Sequence, residues 1–389
     1  MMLQIILILI TGILFINSFY LFIFSLAGKI VKPIVYKINK SSKQRKFLIL
    51  IPGYKEDGVI FNSAQSVLAQ DYPTSLYKCV VIADGFKSET LALLKQAGAE
   101  TFELPEDPKR NKAKAIQQYF AFNKEKFDVC IVLDADNCVE KDMLIKANLY
   151  LDQGFTVIQA KRVAKNVNNK LARLDGISEI INNHIFRKGQ RALGLSSSLI
   201  GSGMIIEMEL FHKLMENMNV FSGFDKELEL RILKNKIAIE YAEDILVYDE
   251  KVTKHEVYVN QRRRWTYAQI YFLKKNAFNA FKELILFRNI DYFNKVLQFA
   301  LLPRVMCLGL SLVLVPISLL AGPNFFIASL LNSLLIIFAL FFAINKEMKI
   351  VEIIKLSNKL PAVFLGMFKA IISSHQASKK FIHTPHNID

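Results

Sequence analysis

The sequence predicts an α/β domain joined to helices that cross or lie on a membrane. Strand-like and helix-like runs alternate from Lys46 to about residue 250, which is typical of α/β domains. Residues 3–27 carry no charge, and about 20 apolar residues suffice to span a bilayer. Hydrophobic residues make up 52% of the 389 positions, which is a high share for a soluble protein.

The charge balance limits the partners that the chain is expected to bind. With 50 Lys and Arg against 35 Asp and Glu, the formal net charge is +15, which suits a pyrophosphate substrate and an anionic membrane surface. No motif for nucleic acid recognition occurs in the sequence, so nucleic acid is not an expected partner. The four cysteines show neither a C-x-x-C pair nor a metal-binding spacing, which predicts free thiols in a reducing compartment.

The first two predicted strands both lead into polar loops. Residues 47–52 form an apolar run that is followed by the loop 53–57, and a helix is predicted over 61–68. The second strand, 78–83, ends in Asp84-Gly85. Parallel strands of an open α/β sheet bring their carboxyl ends to one ligand-binding edge. Asp84 could therefore accept a hydrogen bond from the base or ribose of a nucleotide, and a plain turn is the alternative.

The third predicted strand leads into the most informative residues. Residues 129–133 form an apolar, β-branched run typical of a strand buried on both faces, and Asp134 and Asp136 follow. Residues i and i+2 project to the same side, so the two carboxylates can meet at the sheet edge. Two hard oxygen donors there suit Mg²⁺ or Mn²⁺ that keeps its other positions for water and phosphates. A polar turn that closes the strand is the alternative.

Two further segments are candidate ligand contacts. Lys112 opens the helix before the third strand, where it could meet a diphosphate or simply be solvated. The segment from Gly201 to Met204 contains two glycines, which would let the backbone approach a ligand closely. A bulge or turn is an equally simple explanation of these glycines.

A later helix is predicted to start within residues 221–230 and to carry several carboxylates. Asp225 and Glu229 share one helical face, whereas Glu227 faces elsewhere. Asp225 or Ser222 is most simply the N-terminal cap of this helix. Alternatively, a carboxylate of the first turn could point into a cleft and act as a general base.

The segment 261–265, Gln-Arg-Arg-Arg-Trp, has several residues suited to ligand binding, and it contains the chain's single tryptophan. A basic run close to lipid is typical of a membrane-surface cluster. Arginine also gives planar, bidentate recognition of phosphate. The indole of Trp265 offers a flat apolar face for a sugar ring.

Together these residues resemble the membrane-bound family 2 glycosyltransferases, above all the processive branch that includes cellulose, chitin, hyaluronan and poly-N-acetylglucosamine synthases. The similarity covers residues 47–265. It includes Ile-Pro-Gly-Tyr-Lys-Glu at 51–56, Gln-Asp-Tyr-Pro at 70–73, Asp-Gly at 84–85, Asn-Lys-Ala at 111–113, Asp-Ala-Asp at 134–136 and Gln-x-x-Arg-Trp at 261–265. The last motif is highly specific, whereas each of the others is weak alone.

The resemblance implies a GT-A fold, which is a doubly wound mixed sheet, and inverting transfer of a sugar from a nucleotide donor, in this family mostly a UDP-sugar. It implies a cofactor, Mg²⁺ or Mn²⁺, on Asp136 and Asp134. The donor-binding residues that it implies are Pro52, Tyr54, Glu56, Asp84, Lys112, Asp134, Gln261, Arg263 and Arg264. The implied acceptor-binding residues are Gly203, Met204 and Trp265.

The chain departs from the family at the catalytic base. The family presents Thr-Glu-Asp before a Leu-x-Leu, and the Asp is the base. Here Asp225-Lys226-Glu227 precedes Leu228-Glu229-Leu230. The register therefore assigns the base to Glu227, and a slip of register would assign it to Asp225.

The basic residues that flank the apolar segments predict how the chain is oriented in a cell membrane. The expected segments are an anchor at 1–28, a cytoplasmic catalytic domain at 45–265, interfacial helices at 266–295, a transmembrane hairpin at 296–345 and a cytoplasmic tail with an interfacial helix at 346–389. Seven basic residues from Lys29 to Lys46, and Lys346 and Lys349 after the hairpin, mark the cytoplasmic side by the positive-inside rule. The N-terminus is therefore expected outside the cell.

Three functions remain open from the sequence. Three spans are few for a polysaccharide channel, so a polysaccharide synthase would need an oligomer or an export partner. A transferase that adds one sugar to a membrane lipid is the second possibility, and a catalytically inactive scaffold that binds a nucleotide sugar is the third. The complete motif at 261–265 favours the synthase, whereas the retained Asp134, Asp136 and Arg264 argue against the scaffold.

Overall fold

The computed structural model describes residues 2–31, 43–105, 107, 111–220, 222–344 and 355–378. Several basic residues used for the predicted orientation lie outside the described residues, as does the end of the chain from Lys379. The basic residues in question are Lys32, Lys37, Lys40, Lys346 and Lys349. The orientation in the membrane therefore stays a prediction.

One mixed sheet of eight strands forms the centre of the domain. In chain order the strands are β1 (Phe47–Tyr54), β2 (Tyr77–Asp84), β3 (Glu100–Glu103), β4 (Val129–Val132), β5 (Cys138–Val139), β6 (Val157–Ala164), β7 (Met204–Glu207) and β8 (Glu240–Asp249). Their spatial order is β3-β2-β1-β4-β7-β6-β8-β5. Strands β1 to β4 are mutually parallel, and β7 runs antiparallel to both β4 and β6. The predicted α/β class with a mixed sheet is confirmed.

Helices cover both faces of this sheet and continue beyond it. They are α1 (Met2–Ile30), α2 (Ile60–Leu68), α3 (Ser88–Ala97), α4 (Lys112–Phe122), α5 (Met143–Asp152), α6 (Lys170–Asn183), α7 (Gly189–Ala192), α8 (Met208–Met215), α9 (Phe224–Lys234), α10 (His255–Phe287), α11 (Ile290–Ala300), α12 (Arg304–Leu319), α13 (Pro323–Ala343) and α14 (Leu360–Ile372). A π-helical segment, His184–Lys188, connects α6 to α7.

The two faces of β1 belong to two separate hydrophobic cores. Leu48 and Leu50 lie in the core that includes α4, α8 and α9. Phe47, Ile49 and Ile51 lie in the core of the opposite face, with α2, α3 and α5. All five side chains are fully buried, which explains why the strand reads as an unbroken apolar run.

Two helices of the described chain are long and apolar enough to cross a membrane. They are α13 and residues 4–30 of α1. Helices α11 and α12 together give a third candidate. They meet at an angle of 61°, so this candidate would be a broken span. These candidates fall where the sequence predicted three spans. Helix α14 is apolar but has only 13 residues, and it packs against α10.

The N-terminal helix docks closely on the rest of the chain. Ser25 Oγ in α1 donates a hydrogen bond of 2.6 Å to the carbonyl of Ala339 in α13. Gly189 in α7 lies so near α1 that an added Cβ would clash with the Phe24 carbonyl oxygen. Helix α1 is therefore packed into the folded unit and is not a detached anchor.

Two predicted boundaries differ from the structure. Helix α10 is continuous over 33 residues, so the domain boundary expected after Trp265 falls inside a helix. Helix α9 begins at Phe224, and its cap is Gly223 with φ of +79°. Neither Ser222 nor Asp225 is the cap, because glycine adopts this left-handed conformation without steric cost.

Candidate active site

A cavity of about 790 Å³ opens at the carboxyl ends of the parallel strands. Strands β1 and β2 end side by side, with Tyr54 opposite Asp84 in the register. Most of the predicted site residues line this cavity, namely Pro52, Tyr54, Glu56, Asp84, Lys112, Asp134, Asp136, Asp225, Gln261, Arg264 and Trp265. The fold therefore collects residues from six separate segments around one cavity.

The two aspartates after β4 have different partners. The buried carboxylate of Asp136 accepts hydrogen bonds from the backbone N–H of Glu250 at 2.9 Å and from the side-chain amide of Asn137 at 3.2 Å. Asp134 Oδ1 accepts from the Lys112 ammonium at 2.6 Å. The backbone N–H of Asn137 donates to the Asp134 carbonyl at 3.1 Å. The turn that closes the strand thus also presents two hard oxygen donors to the cavity.

This donor set fits a divalent ion that is shared with a substrate. Within the described part of the chain, no group of three or more His, Cys, Asp or Glu side chains could hold a metal ion alone. Mg²⁺ commonly binds through one or two carboxylates, while substrate phosphates and water complete its coordination. Asp136 and Asp134 meet that requirement, and Mn²⁺ prefers the same oxygen ligands.

Lys112 connects the aspartate turn to the glycine segment. Helix α4 begins at Lys112, because the Asn111 side chain caps it by accepting from the Lys114 N–H at 2.9 Å. The Lys112 ammonium donates both to Asp134 and, at 2.7 Å, to the carbonyl of Gly201. The start of the helix therefore places a positive charge between two loops that line the cavity.

In the glycine segment, Gly201 lines the cavity, whereas Gly203 and Met204 do not. Met204 is the first residue of β7 and is fully buried. A Cβ at Gly203 would lie 3.0 Å from the side chain of Val247, so the neighbouring strands pack directly against this glycine. The acceptor contacts expected of Gly203 and Met204 are thus not formed in this arrangement, because strand pairing takes up these residues.

The two candidate bases lie on different faces of α9. Asp225 lines the cavity beside Gly201, where an added Cβ would be 3.7 Å from the Asp225 Cβ. Glu227 lies two residues further on, about 200° around the helix, and does not line the cavity. Its carboxylate instead pairs with Arg231 and Lys275, each at 3.1 Å. The geometry therefore favours Asp225 over Glu227 as the carboxylate that can reach a substrate.

The charge state of Asp225 is set by nearby lysines. Burial raises the pKa of Asp225, but the charge and backbone N–H of Lys226, then Lys295 and Lys112, bring it below its usual value. Asp225 is therefore ionised at neutral pH. Glu229, one turn later, pairs with Lys295 at 2.8 Å, and burial holds the pKa of Glu229 above its usual value.

Arg264 and Arg263 point in different directions from α10. Arg264 lines the cavity. Burial lowers the pKa of Arg264, whereas the charges of Asp134 and Asp225 raise it to a smaller extent. Arg263 donates to Ser373 Oγ at 2.8 Å and does not line the cavity. The donor contact expected of Arg264 is thus geometrically available, whereas that expected of Arg263 is not.

Trp265 and Gln261 also reach the cavity from α10. The guanidinium of Arg262 lies over the indole, 4.4 Å from the ring centroid, and pairs with Asp175. A sugar ring cannot stack on that face of Trp265 while Arg262 keeps this position. The side-chain oxygen of Gln261 is buried and accepts no hydrogen bond from the described residues.

Three charged residues at the end of β8 line the cavity but were not predicted as site residues from the sequence. Asp249, Glu250 and Lys251 all line the cavity. Asp249 accepts from Asn137 at 3.2 Å and pairs with Lys251 at 2.8 Å. A sequence signal for them exists, because β8 is a strand that ends in acidic residues, as do β2 and β4.

Comparisons with known proteins identify what this chain is similar to. The profile of the family described as Glycosyltransferase like family 2 matches residues 44–268. The solved mannosyltransferase PcManGT from Pyrobaculum calidifontis, in complex with GDP-Man and Mn²⁺, is 13% identical with a TM-score of 0.55, over 96% of this chain and 99% of that chain. TarS 1–349 from S. aureus, in complex with UDP-GlcNAc, is 17% identical with a TM-score of 0.43, over 86% of this chain and 90% of that chain. The first of these likenesses indicates a common fold alone, and no conclusion is drawn from the second. No curated protein matches the chain.

Proposed function

The chain belongs to the family described as Glycosyltransferase like family 2, and from this premise we propose that it transfers a sugar from a nucleotide donor to a hydroxyl of an acceptor that enters from the membrane. One observation carries the proposal. A single cavity is lined both by Asp134, Asp136, Asp225 and Arg264 and by apolar side chains of α12, α13 and α14.

The donor would lie at the carboxyl ends of β1, β2 and β4, where open α/β sheets bind ligands. Asp84 would accept a hydrogen bond from the base or ribose. Lys112 and Arg264 would bind the diphosphate, because both are cations that line this end of the cavity. Arginine can offer two parallel hydrogen bonds to a phosphate.

Asp136 and Asp134 would hold Mg²⁺ or Mn²⁺ against the donor diphosphate. The ion would neutralise charge that develops on the leaving diphosphate. Lys112 already donates to Asp134 at 2.6 Å, so its ammonium lies where it can move between this carboxylate and a phosphate oxygen. Arg264 adds a second fixed positive charge that needs no proton transfer to act.

Asp225 would take the proton of the acceptor hydroxyl as the oxygen attacks the anomeric carbon. Asp225 is ionised and lines the cavity, which are the two properties that a general base needs. Direct displacement of the diphosphate inverts the anomeric carbon. Glu227 would serve the fold through Arg231 and Lys275.

The membrane arrangement is part of the proposal. Helices α1 and α13, with α11 and α12 as a broken third span, would cross the bilayer. The catalytic domain would lie in the cytoplasm, where nucleotide sugars are made, and the N-terminus outside. Helix α14, which packs against α10, would lie at the membrane surface beside the cavity.

A lipid acceptor is favoured over a growing polysaccharide. Apolar residues of α12, α13 and α14 line part of the cavity, and they suit a hydrocarbon chain better than a hydrated glycan. The polysaccharide acceptor stays the second candidate because of the complete Gln-x-x-Arg-Trp motif. The Arg262 contact covers one face of Trp265, so a glycan could stack only on the other face.

Transfer assays on the full chain test the proposed function. The protein would be purified into lipid nanodiscs and supplied with a panel of UDP- and GDP-sugars, Mg²⁺ or Mn²⁺, and a total membrane lipid extract. We expect release of the nucleoside diphosphate from one donor and label in the organic phase. Label in a water-soluble polymer would support the polysaccharide candidate instead. If no donor releases a nucleoside diphosphate, the proposed function is wrong.

A further inference from the structure

The part of the cavity wall that α12, α13 and α14 form contains an arginine whose hydrogen bonds are incomplete. Arg304 is the first residue of α12 and lines the cavity. Its Nη2 donates to the carbonyl of Ser178 at 3.0 Å and to Ser178 Oγ at 2.9 Å. Its Nη1 is buried and has no hydrogen-bond partner among the residues that the structure describes. A guanidinium group has five donors, and a buried one left unused costs free energy.

The carboxylates on the same wall are already paired with other cations. Glu179, the neighbour of Ser178, pairs with Arg162 at 2.8 Å and with Arg187 at 3.2 Å. Asp175 pairs with Arg262. The charge of Glu179 also acts on Arg304, but it is shared with Arg162 and Arg187. A buried cation whose charge is incompletely compensated is costly, so an anion from outside the described chain would complete this wall.

The surroundings of Arg304 indicate what kind of molecule brings that anion. Apolar side chains of α12, α13 and α14 also line the cavity, namely Val305, Leu308, Leu340, Val363 and Met367, as does Leu302 in the linker before α12. Such walls gain free energy by burying hydrocarbon. A nucleotide sugar offers no hydrocarbon chain, whereas a lipid with a phosphate offers both the chain and the anion. Arginine is well suited to phosphate, because its planar donors can bind two oxygens at once.

Asp225 limits where the phosphate can lie in the acceptor. A phosphate oxygen is already an anion at neutral pH and needs no base to become a nucleophile, whereas a hydroxyl does. A site with both Asp225 and Arg304 on one cavity therefore suits a molecule in which the hydroxyl and the phosphate are separate groups.

We propose that the acceptor is a lipid whose hydroxyl-bearing head is joined to its apolar chain through a phosphate, and that Arg304 binds this phosphate. The inference rests on the proposed function for the transfer step. In that step the acceptor oxygen forms a bond to the anomeric carbon, and the bond from that carbon to the diphosphate breaks. The nucleoside diphosphate leaves with the electron pair, and the hydroxyl proton passes to Asp225.

Fluorescence of Trp265 allows a direct binding test, because it is the only tryptophan and lines the cavity. The full chain in detergent micelles would be titrated with three short-chain probes. Two carry a phosphate and free hydroxyls, dioctanoyl phosphatidylinositol and a short isoprenyl diphosphate-linked sugar, and they distinguish a glycerophospholipid from an isoprenoid source. The third, dioctanoylglycerol, has a hydroxyl and no phosphate. We expect saturable binding of at least one phosphate probe and none of dioctanoylglycerol.

Substitution of the arginine tests the contact itself. Arg304→Gln should weaken binding of the phosphate probe by about 10-fold or more, the value of one lost charge-assisted hydrogen bond. Arg304→Lys should retain part of the affinity, because it keeps the charge. Arg173→Gln is the matched control, since Arg173 is exposed on the same helix as Ser178 and is absent from the cavity wall. It should bind the probe as the wild type does.

Binding of nucleoside diphosphate with Mn²⁺, measured by calorimetry, separates this inference from the proposed function and reports folding of each variant. We expect equal nucleotide affinity in the wild type and Arg304→Gln. Unchanged binding of the phosphate probe by Arg304→Gln would overturn the inference, as would equal binding of dioctanoylglycerol by the wild type. Selective loss of nucleotide binding in Arg304→Gln would also overturn it, because Arg304 would then serve the donor. Absence of nucleotide binding in the wild type would instead refute the proposed function.

Discussion

Replacement of Asp225 by asparagine would test the assigned base most directly. Asp225→Asn keeps the size of the side chain but removes the carboxylate that accepts a proton. General base catalysis is typically worth about 10²- to 10⁴-fold in rate, which corresponds to about 3 to 5 kcal/mol of activation free energy. We expect the rate of transfer at saturating donor to fall by that factor.

The structure predicts that this loss would not come from unfolding or from weaker donor binding. Gly223 is the cap of α9, so the substitution removes no cap. The ion pair of Asp225 is with Lys226 at 3.6 Å, and both side chains are 22% exposed. Such pairs contribute about 1 kcal/mol or less. Lys112 and Arg264 would still bind the diphosphate.

Glu227→Gln is the matched control, two residues away on the same helix. It weakens pairs with Arg231 and Lys275 that are partly exposed, so it should cost about 1 kcal/mol or less of stability and leave the rate close to that of the wild type. The assay is the initial rate of transfer in nanodiscs, with nucleotide affinity and the thermal unfolding midpoint measured for each variant. An inactive Glu227→Gln beside an active Asp225→Asn, both folded and nucleotide-bound, would refute the assignment.

Asp136→Ala should lower transfer by about 100-fold or more, as should chelation of the wild type, because each removes charge stabilisation of the leaving diphosphate; rates with and without Mn²⁺ are the check. Gly189→Ala should cost about 1 to 3 kcal/mol because the added methyl group would clash with the Phe24 carbonyl, whereas Gly12→Ala, with no atom within 4 Å, should not lower the thermal midpoint. Glu179→Gln should cost about 3 to 5 kcal/mol, because it leaves buried cations uncompensated. Burial raises the pKa of Glu179, but the neighbouring cations hold it well below its usual value of 4.5. The ionised Glu179 side chain therefore contributes fully to the free energy of unfolding above that usual value, and this contribution is lost as the pH falls through the lowered pKa. Urea unfolding at pH 7 and at acidic pH measures this change.

The residues at the strand ends were predictable because their positions follow from local pattern. An apolar run that stops at an acidic residue marks both the end of a buried strand and a polar group at the sheet edge. Asp84, Asp134 and Asp136 were found in this way, and all three line the cavity. Asp249 carries the same pattern at the end of β8, and it was missed because no strand was assigned there.

The choice between neighbouring charged residues could not be made from the sequence. Spacing shows that Asp225 and Glu227 lie on different faces of a helix, but not which face meets the cavity. That choice depends on the start of α9 at the left-handed Gly223. Likewise, Arg263 donates a hydrogen bond to Ser373 in the segment after α14, so Arg264 lines the cavity and Arg263 does not. The arginine case is decided by a contact between residues 110 positions apart, and no local pattern records such a contact.

Two adjacent residues of α6, Ser178 and Glu179, connect the start of α12 to the aspartate turn after β4. Ser178 contacts the first residue of α12, and Glu179 pairs with Arg162 at 2.8 Å. Arg162 also lies 3.7 Å from Asp249, which accepts from Asn137 in the aspartate turn. These groups are largely buried, so moving one would leave its partners' charges uncompensated. The start of α12 and the aspartate turn should therefore keep a fixed separation, and acceptors should be selected by the distance between their phosphate and their reactive hydroxyl.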